Sequence, residues 1–416
     1  MIKKRRENLV EMMDTNSFAL FYAGRPKQKT GDQNYPFEVN RNFFYLTNID
    51  QADVVLLVAK GANKTDSYLF IEKRSAFKIL WDGPTLTFDE ASELSQIPVE
   101  NIREIETVDM FINQILSVSR GAIFGELNKL YLDLDRQTTT AFDTLEQLEA
   151  NRLSKLYPNL TIKGSQHFLA HLRMRKDALE VKLTKEAIQV TNEALNHVMK
   201  TLKPNMYEYE IEAEYNYILN KHHKSPSFDT IAASGENACI LHYVNNDTLI
   251  NDNELILFDL GVKHHNYCSD ISRTYPANGK FSKRQKEIYE IVLKANKETI
   301  KWLKPGKTMR EFNDFGKQIL IDGLKSIGLI KEDSEITKYY YHSLGHYLGL
   351  DVHDVGIYDQ PIPVGAIITV EPGLYIKEEA IGIRIEDNIL ITEDGNINLS
   401  KDLIKEVKDI EAFMSK

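Results

Sequence analysis

The chain of 416 residues has only two cysteines, Cys239 and Cys268. Two thiols make no disulfide framework, so a reducing, cytoplasmic setting is expected. Long apolar runs are also missing. The longest, Phe18 to Ala23 and Val54 to Ala59, are six residues each. Roughly twenty are needed to cross a bilayer, which excludes a transmembrane helix. The basic start, Met1-Ile-Lys-Lys-Arg-Arg, is followed by Glu7 and Asn8 and by no apolar stretch, so it does not read as a signal peptide. Nor is there an excess of positive charge. Lys and Arg number 51 against 61 Asp and Glu, a net charge of −10, which argues against non-specific binding to nucleic acid or an anionic membrane. With 42% hydrophobic and 27% charged residues, wholesale disorder is excluded. The length suits two domains.

Those two parts are unlike. Residues 1–165 alternate short β-rich runs (Ser17 to Tyr22, Val54 to Val58, Tyr68 to Ile71) with helical stretches such as Thr140 to Leu148, an α/β pattern. Arg25 to Tyr35 is rich in Gly, Pro, Lys, Gln and Asn and reads as a loop. The second part, 172–416, opens with an amphipathic helix from Ala178 to Leu202 that Pro204 stops. Nine of the eleven histidines lie beyond residue 190, so the candidate chemistry is concentrated there.

The second part also repeats itself. Thr201-Leu-Lys-Pro204 ends one helix and Glu208 to Lys221 follows; Trp302-Leu-Lys-Pro305 ends another and Met309 to Ile327 follows. After each pair come a lone histidine and a strand ending in a carboxylate: His242 before Asp259, His353 before Glu371. Two copies are too few for a solenoid. They suggest half-domains related by a pseudo-twofold, with matching carboxylates at the centre.

Four carboxylates fall into two hairpins. Asp259 and Asp270 are equidistant from a turn centred on His264 and His265, which predicts that they face one another across the strands. Glu371 and Glu386 are likewise equidistant from a charged turn at Glu378 and Glu379. Like charges on one face of apolar strands repel. A pair of divalent cations relieves that conflict, and carboxylates bridge two metals in hydrolytic sites. Histidine candidates cluster at His342, His346 and His353; spacing alone does not choose among them. Gly345 and Gly349 argue against a helix there.

The residues resemble a known family. Ser234-Gly-Glu-Asn-Ala-Cys-Ile-Leu-His242, Phe258-Asp-Leu-Gly261, Ser269-Asp-Ile-Ser-Arg-Thr274, His346-Tyr-Leu-Gly-Leu-Asp-Val-His-Asp354, Val370-Glu-Pro-Gly373 and Ile383-Arg-Ile-Glu-Asp387 look like the motifs of the pita-bread dinuclear metallopeptidases, in family order. Tyr35-Pro-Phe37 and Asn42-Phe-Phe-Tyr-Leu-Thr47 resemble the creatinase-like N-terminal domain of the proline-specific branch. The resemblance implies an α/β creatinase-like domain followed by an α+β pita-bread catalytic domain with a pseudo-twofold repeat. It implies two divalent metal ions on Asp259, Asp270, His346, Glu371 and Glu386. An oxygen-rich set suits manganese, cobalt or iron better than a thiolate-rich zinc site does; the resemblance implies manganese first, with cobalt, iron or zinc as alternatives.

Within the branch the chain looks most like an Xaa-Pro aminopeptidase, which cleaves before a proline second from the N-terminus of a peptide. An Xaa-Pro dipeptidase is the rival, and a non-catalytic binding relative is the reading from another class. The resemblance makes Glu371 the proton carrier and sets His353 to stabilise the oxyanion. It puts His242 and His342 against the substrate, gives Arg384 a metal-ligand carboxylate to hold, and leaves Tyr375 as a further contact. It matches Trp81 to a tryptophan that reaches a neighbouring subunit's active site, and so implies a homodimer or homotetramer. Two departures stand out. Ser343 replaces the glycine that commonly follows the first histidine of the metal loop, and Phe228 stands where a tyrosine is often found.

Overall fold

The computed structural model describes residues 1–117, 122–136 and 138–415. It divides into two compact units, Met1–Arg173 and Met174–Lys416. The division lies beyond residue 165 because Gln166–Arg173 forms one more helix, whose Arg173 donates to Asn42 Oδ1 (2.8 Å).

The first unit is built on a six-stranded mixed sheet. Its order is Ile102–Glu104, Thr65–Ile71, Val55–Lys60, Ser17–Tyr22, Lys129–Leu132, Thr161–Gly164. Ser17–Tyr22 is buried along its whole length, which explains why it is an unbroken apolar run rather than an alternating one. Phe18, Leu20 and Phe70 pack with Phe111, Ile112 and Ile115 of the helix Val108–Leu116. The helix expected at Thr140 to Leu148 instead spans Leu145–Leu156, because Thr144 caps it and Gln147 completes a capping box. The segment Arg25 to Tyr35, expected as a loop, holds a short exposed hairpin, Gln28–Thr30 with Gln33–Asn34. Trp81 lies on the short helix Ala76–Asp82, none of whose residues is buried.

The second unit contains the repeated plan. Ala178–Thr201 is followed by Glu208–Lys221, and Lys283–Trp302 by Met309–Ser326. Pro204 and Pro305 follow the first helix of each pair, where no backbone N–H is left to continue it. The first half then forms a three-stranded antiparallel sheet, Ile231–Ser234, Leu255–Leu260, Ile271–Pro276. The second half forms Ile367–Val370, Asp387–Thr392, Gly395–Asn398, with a smaller ladder of Gly373–Ile376 and Ile381–Arg384. The halves are tied at the centre, where Glu386 N donates to Ser272 O (3.0 Å) and Arg384 N to Thr274 Oγ1 (3.2 Å).

One hairpin register differs from the expected one. Asp259 pairs with Ser272, and Asp270 falls diagonal to it. The turn is centred on His265 and Asn266, both at positive φ (46° and 65°), rather than on His264 and His265. A two-residue turn of that hand fits the twist of the strands, and asparagine tolerates it. The other hairpin keeps the expected symmetry. Gly373 pairs with Arg384 and Val370 with Asp387, which sets Glu371 across from Glu386.

Candidate metal centre

Each carboxylate sits where a strand ends or breaks. Asp259 is the penultimate residue of Leu255–Leu260, and Asp270 immediately precedes Ile271–Pro276. Glu371 follows Ile367–Val370, and Glu386 lies in the gap between Ile381–Arg384 and Asp387–Thr392. His346 comes from an irregular segment laid against the strand of Glu371. A Cβ at Gly345 would meet Thr369 O at 2.1 Å, so glycine is what permits the close approach. No helix forms there.

Asp270, His346 and Glu386 each offer one ligand atom within 4.8 Å of the others. His346 Nε2 lies 3.4 Å from Asp270 Oδ2 and 3.5 Å from Glu371 Oε1. Its Nδ1–H donates to Tyr347 O (3.0 Å), which turns Nε2 to the carboxylates. Asp259 joins the cluster through Ser272. The Ser272 hydroxyl lies 2.7 Å from Glu386 Oε2 and 3.3 Å from Asp259 Oδ1.

Arg384 reaches three groups at once from a buried position. Nη2 donates to Asp259 Oδ2, Nε to Ser272 Oγ (2.7 Å) and Nη1 to Tyr375 Oη (2.9 Å). The relay goes one step further. His342 Nδ1–H donates to Ser343 O (2.7 Å), so its Nε2 accepts from the Tyr375 hydroxyl (2.8 Å). Burial, reinforced by the charge of Arg384, lowers His342 to about 4, so it is neutral. Ser343, the departure from the usual glycine, thereby contributes only its backbone carbonyl to this arrangement.

His353 packs edge-on against His346, ring centroids 4.2 Å apart. His242 is exposed, in the turn that follows Gly235–Cys239. Phe228 is half-buried. Tyr375 is fully buried among Ala238, Tyr243 and Leu257. Neither cysteine is among the metal-site residues; both are free thiols, and Cys239 Sγ faces Ile381 O.

Three further residues contribute; Ser272 and Thr369 were not singled out from the sequence, whereas Asn388 shares a strand face with Arg384 and Glu386. Ser272 links two carboxylates to Arg384, as above. Thr369 accepts from His346 N (3.0 Å) and donates to Glu371 Oε1 (3.2 Å). Asn388 brackets Asp270, donating to its carbonyl (2.6 Å) and accepting from its N–H (3.2 Å). The available signal was spacing. Ser272, Thr369 and Asn388 are each two residues from a carboxylate, hence on its face of a strand.

The electrostatics test the donor set as a cation site. Burial raises Asp259 to about 6 and Glu371 to about 7, against the pull of Arg384 on both. Glu386 is raised further by burial and by Asp270 and Glu371. Burial lowers His346, but Asp270 and Glu371 outweigh it and bring it to about 9. Glu386 Oε1 is buried with no hydrogen-bond donor. Such an atom is costly to leave unmatched, and an oxygen-rich cluster short of positive charge suits hard or borderline divalent ions. The residues fit a metal pair.

Comparison with known proteins shows the family. Residues 182–393 match the model of metallopeptidase family M24, and residues 2–124 that of the aminopeptidase P N-terminal domain. The Xaa-Pro aminopeptidase of Haemophilus influenzae is 37% identical, over 99% of this chain and 96% of its own. A candidate aminopeptidase P of Bacillus anthracis superposes with a TM-score of 0.96 at 41% identity, covering 99% of this chain and 97% of its own. Aminopeptidase P of E. coli, solved with the inhibitor Pro-Leu, gives a TM-score of 0.89 at 32% identity, covering 99% and 97%.

Proposed function

The chain belongs to metallopeptidase family M24 and is an Xaa-Pro aminopeptidase, and we propose that Asp259, Asp270, His346, Glu371 and Glu386 hold its divalent ions as a pair. The convergence of four carboxylates and His346, with a buried Glu386 oxygen left without a donor, carries this reading. Asp259 and Asp270 would hold one ion, and Asp270, Glu386, His346 and Glu371 the other. Manganese is the proposed metal: oxygen donors outnumber nitrogen and no thiolate takes part, which suits manganese, cobalt or iron, and the family resemblance puts manganese first.

The ions supply Lewis acidity and lower the pKa of water beside them, so that a nucleophile is available near neutral pH. Glu371, whose Oε1 lies 3.5 Å from His346 Nε2 within the cluster, is suited to take a proton from the attacking water and pass it to the leaving proline nitrogen. His353, beside His346, stabilises the developing oxyanion. His342 and His242 contact the proline and the substrate backbone. Arg384 keeps Asp259 ionised and orients Tyr375, and through Tyr375 it fixes the His342 ring. The substrates are proline-containing peptides, in keeping with the Pro-Leu bound by the E. coli relative.

A homodimer or homotetramer completes the proposal, with Trp81 offered to a neighbouring copy. In support, Phe77, Leu80 and Trp81 are 69%, 81% and 74% exposed on one short helix. A reducing, cytoplasmic setting accords with the two free thiols.

The test is cleavage by metal-stripped protein with manganese added back, offering Arg-Pro-Pro and Ala-Pro side by side. Manganese-dependent release of the first residue from the tripeptide, with the dipeptide nearly inert, supports the proposal. The reverse preference points to an Xaa-Pro dipeptidase, and no cleavage under several metals to a binding relative.

A further inference from the structure

Ser272 is fully buried and stands at the crossing of the two halves of the second unit. It faces Asp259 across the strand ladder, and its carbonyl accepts from Glu386 N (3.0 Å). Its hydroxyl has one proton and two carboxylates in reach. Glu386 Oε2 at 2.7 Å takes it in preference to Asp259 Oδ1 at 3.3 Å. Arg384 Nε–H donates to the same hydroxyl oxygen at 2.7 Å. The chain is therefore directional: guanidinium to hydroxyl to carboxylate. A donor in contact with a cation is a stronger donor to the next group.

The consequence for Glu386 is geometric. Its Oε2 is tied to Ser272, while Oε1 is buried with no hydrogen bond. A hydrogen bond to one oxygen restrains rotation of the carboxylate, and Glu386 offers one ligand atom within 4.8 Å of those of Asp270 and His346. Asp259 needs no such help, because Arg384 Nη2 binds it directly. We propose that Ser272 is a positioning residue for the metal pair, which holds Glu386 in its ion-binding orientation through the hydrogen-bond relay from Arg384.

This inference rests on the dimetal reading given above. Loss of an outer hydrogen bond of this kind typically weakens metal affinity by about 10- to 100-fold. The substitution Ser272→Ala removes one oxygen and adds no bulk. The experiment titrates manganese into metal-stripped, full-length parent and S272A by calorimetry. Melting of the metal-free proteins and peptide cleavage across manganese concentrations accompany it. At least one of the two ions should bind S272A about 10- to 100-fold more weakly. Its cleavage activity should climb back towards the parent's as manganese is raised, and the two metal-free proteins should melt alike. Unchanged affinities for both ions in S272A, with a parent that binds two, would overturn the inference alone. So would a metal-free S272A that melts far below the parent, since the serine would then serve folding. A parent that binds no ion pair would overturn the dimetal reading and the inference together.

Discussion

Stripping the ions should make the second unit lose stability as pH rises, the opposite of its behaviour with metal bound. Asp259 goes from 3.8 to about 6 and Glu371 from 4.5 to about 7 on burial in the metal-free fold. A carboxyl with a raised pKa keeps its proton when the unfolded chain has lost it. The folded state then binds more protons, and stability falls as pH rises from about 4 to about 7. At about 1.4 kcal/mol per pKa unit, each shift is worth about 3 kcal/mol. Both feel the charge of Asp270 and so overlap; together they amount to about 3 to 6 kcal/mol. His346 acts in the same direction. Its pKa of about 9 against 6.5 gives stability that is present in full below pH 6.5 and lost as pH rises through about 9. Bound ions require the carboxylates ionised and the imidazole neutral, so the loaded protein gains stability over the same range. For a unit of this size about 1 kcal/mol moves the melting temperature by about 2–4 °C. Metal-free protein should therefore melt at least about 6 °C lower at pH 8 than at pH 5.5. Calorimetry with chelator and with manganese measures both profiles. A metal-free protein as stable at pH 8 as at pH 5.5 would refute the view that burial without ions keeps Asp259 and Glu371 protonated in the folded state.

Lys176→Met removes a buried cation that donates to Asp354 at 2.9 Å, the two side chains being 0% and 1% exposed. Denaturant unfolding should show a loss clearly above the roughly 1 kcal/mol that breaking an exposed pair costs. Gly382→Ala should be poorly tolerated, because its Cβ would lie 2.2 Å from Ala238 O and push the strand away from the segment leading to His242. Low soluble yield or a loss above about 2 kcal/mol in denaturant unfolding is the expected result. Trp81→Ala removes a 74% exposed side chain and should leave denaturant stability within about 0.5 kcal/mol. A rise in KM for tripeptides would support its proposed contact with substrate across subunits, and unchanged kinetics would remove it.

The helices that frame the site were legible because their limits are local. Pro204 and Pro305 close them, and Asp177 and Thr308 cap Ala178–Thr201 and Met309–Ser326 with a Glu three residues on. The hairpin of Glu371 and Glu386 was legible for a similar reason, since its charged turn is symmetric about Glu378 and Glu379. The hairpin of Asp259 and Asp270 was misread by one turn position. Which two of three adjacent polar residues take positive φ depends on the strands they join as well as on their own identity.

By itself the sequence determined the two-part plan and most of the strands, and it offered candidate ligands: four carboxylates among apolar neighbours and a cluster of histidines, fitting the metal pair proposed above. Only the tertiary structure decided how those ligands are held. Arg384, Ser272 and Glu386 meet because strands from opposite halves of the second unit cross at the centre. Arg273 and Lys405, beneath them, grip Asp387 by the same crossing. Residue spacing encodes which side chains share a face of one strand. It does not encode which strand lies alongside, because that follows from the burial of the whole apolar core.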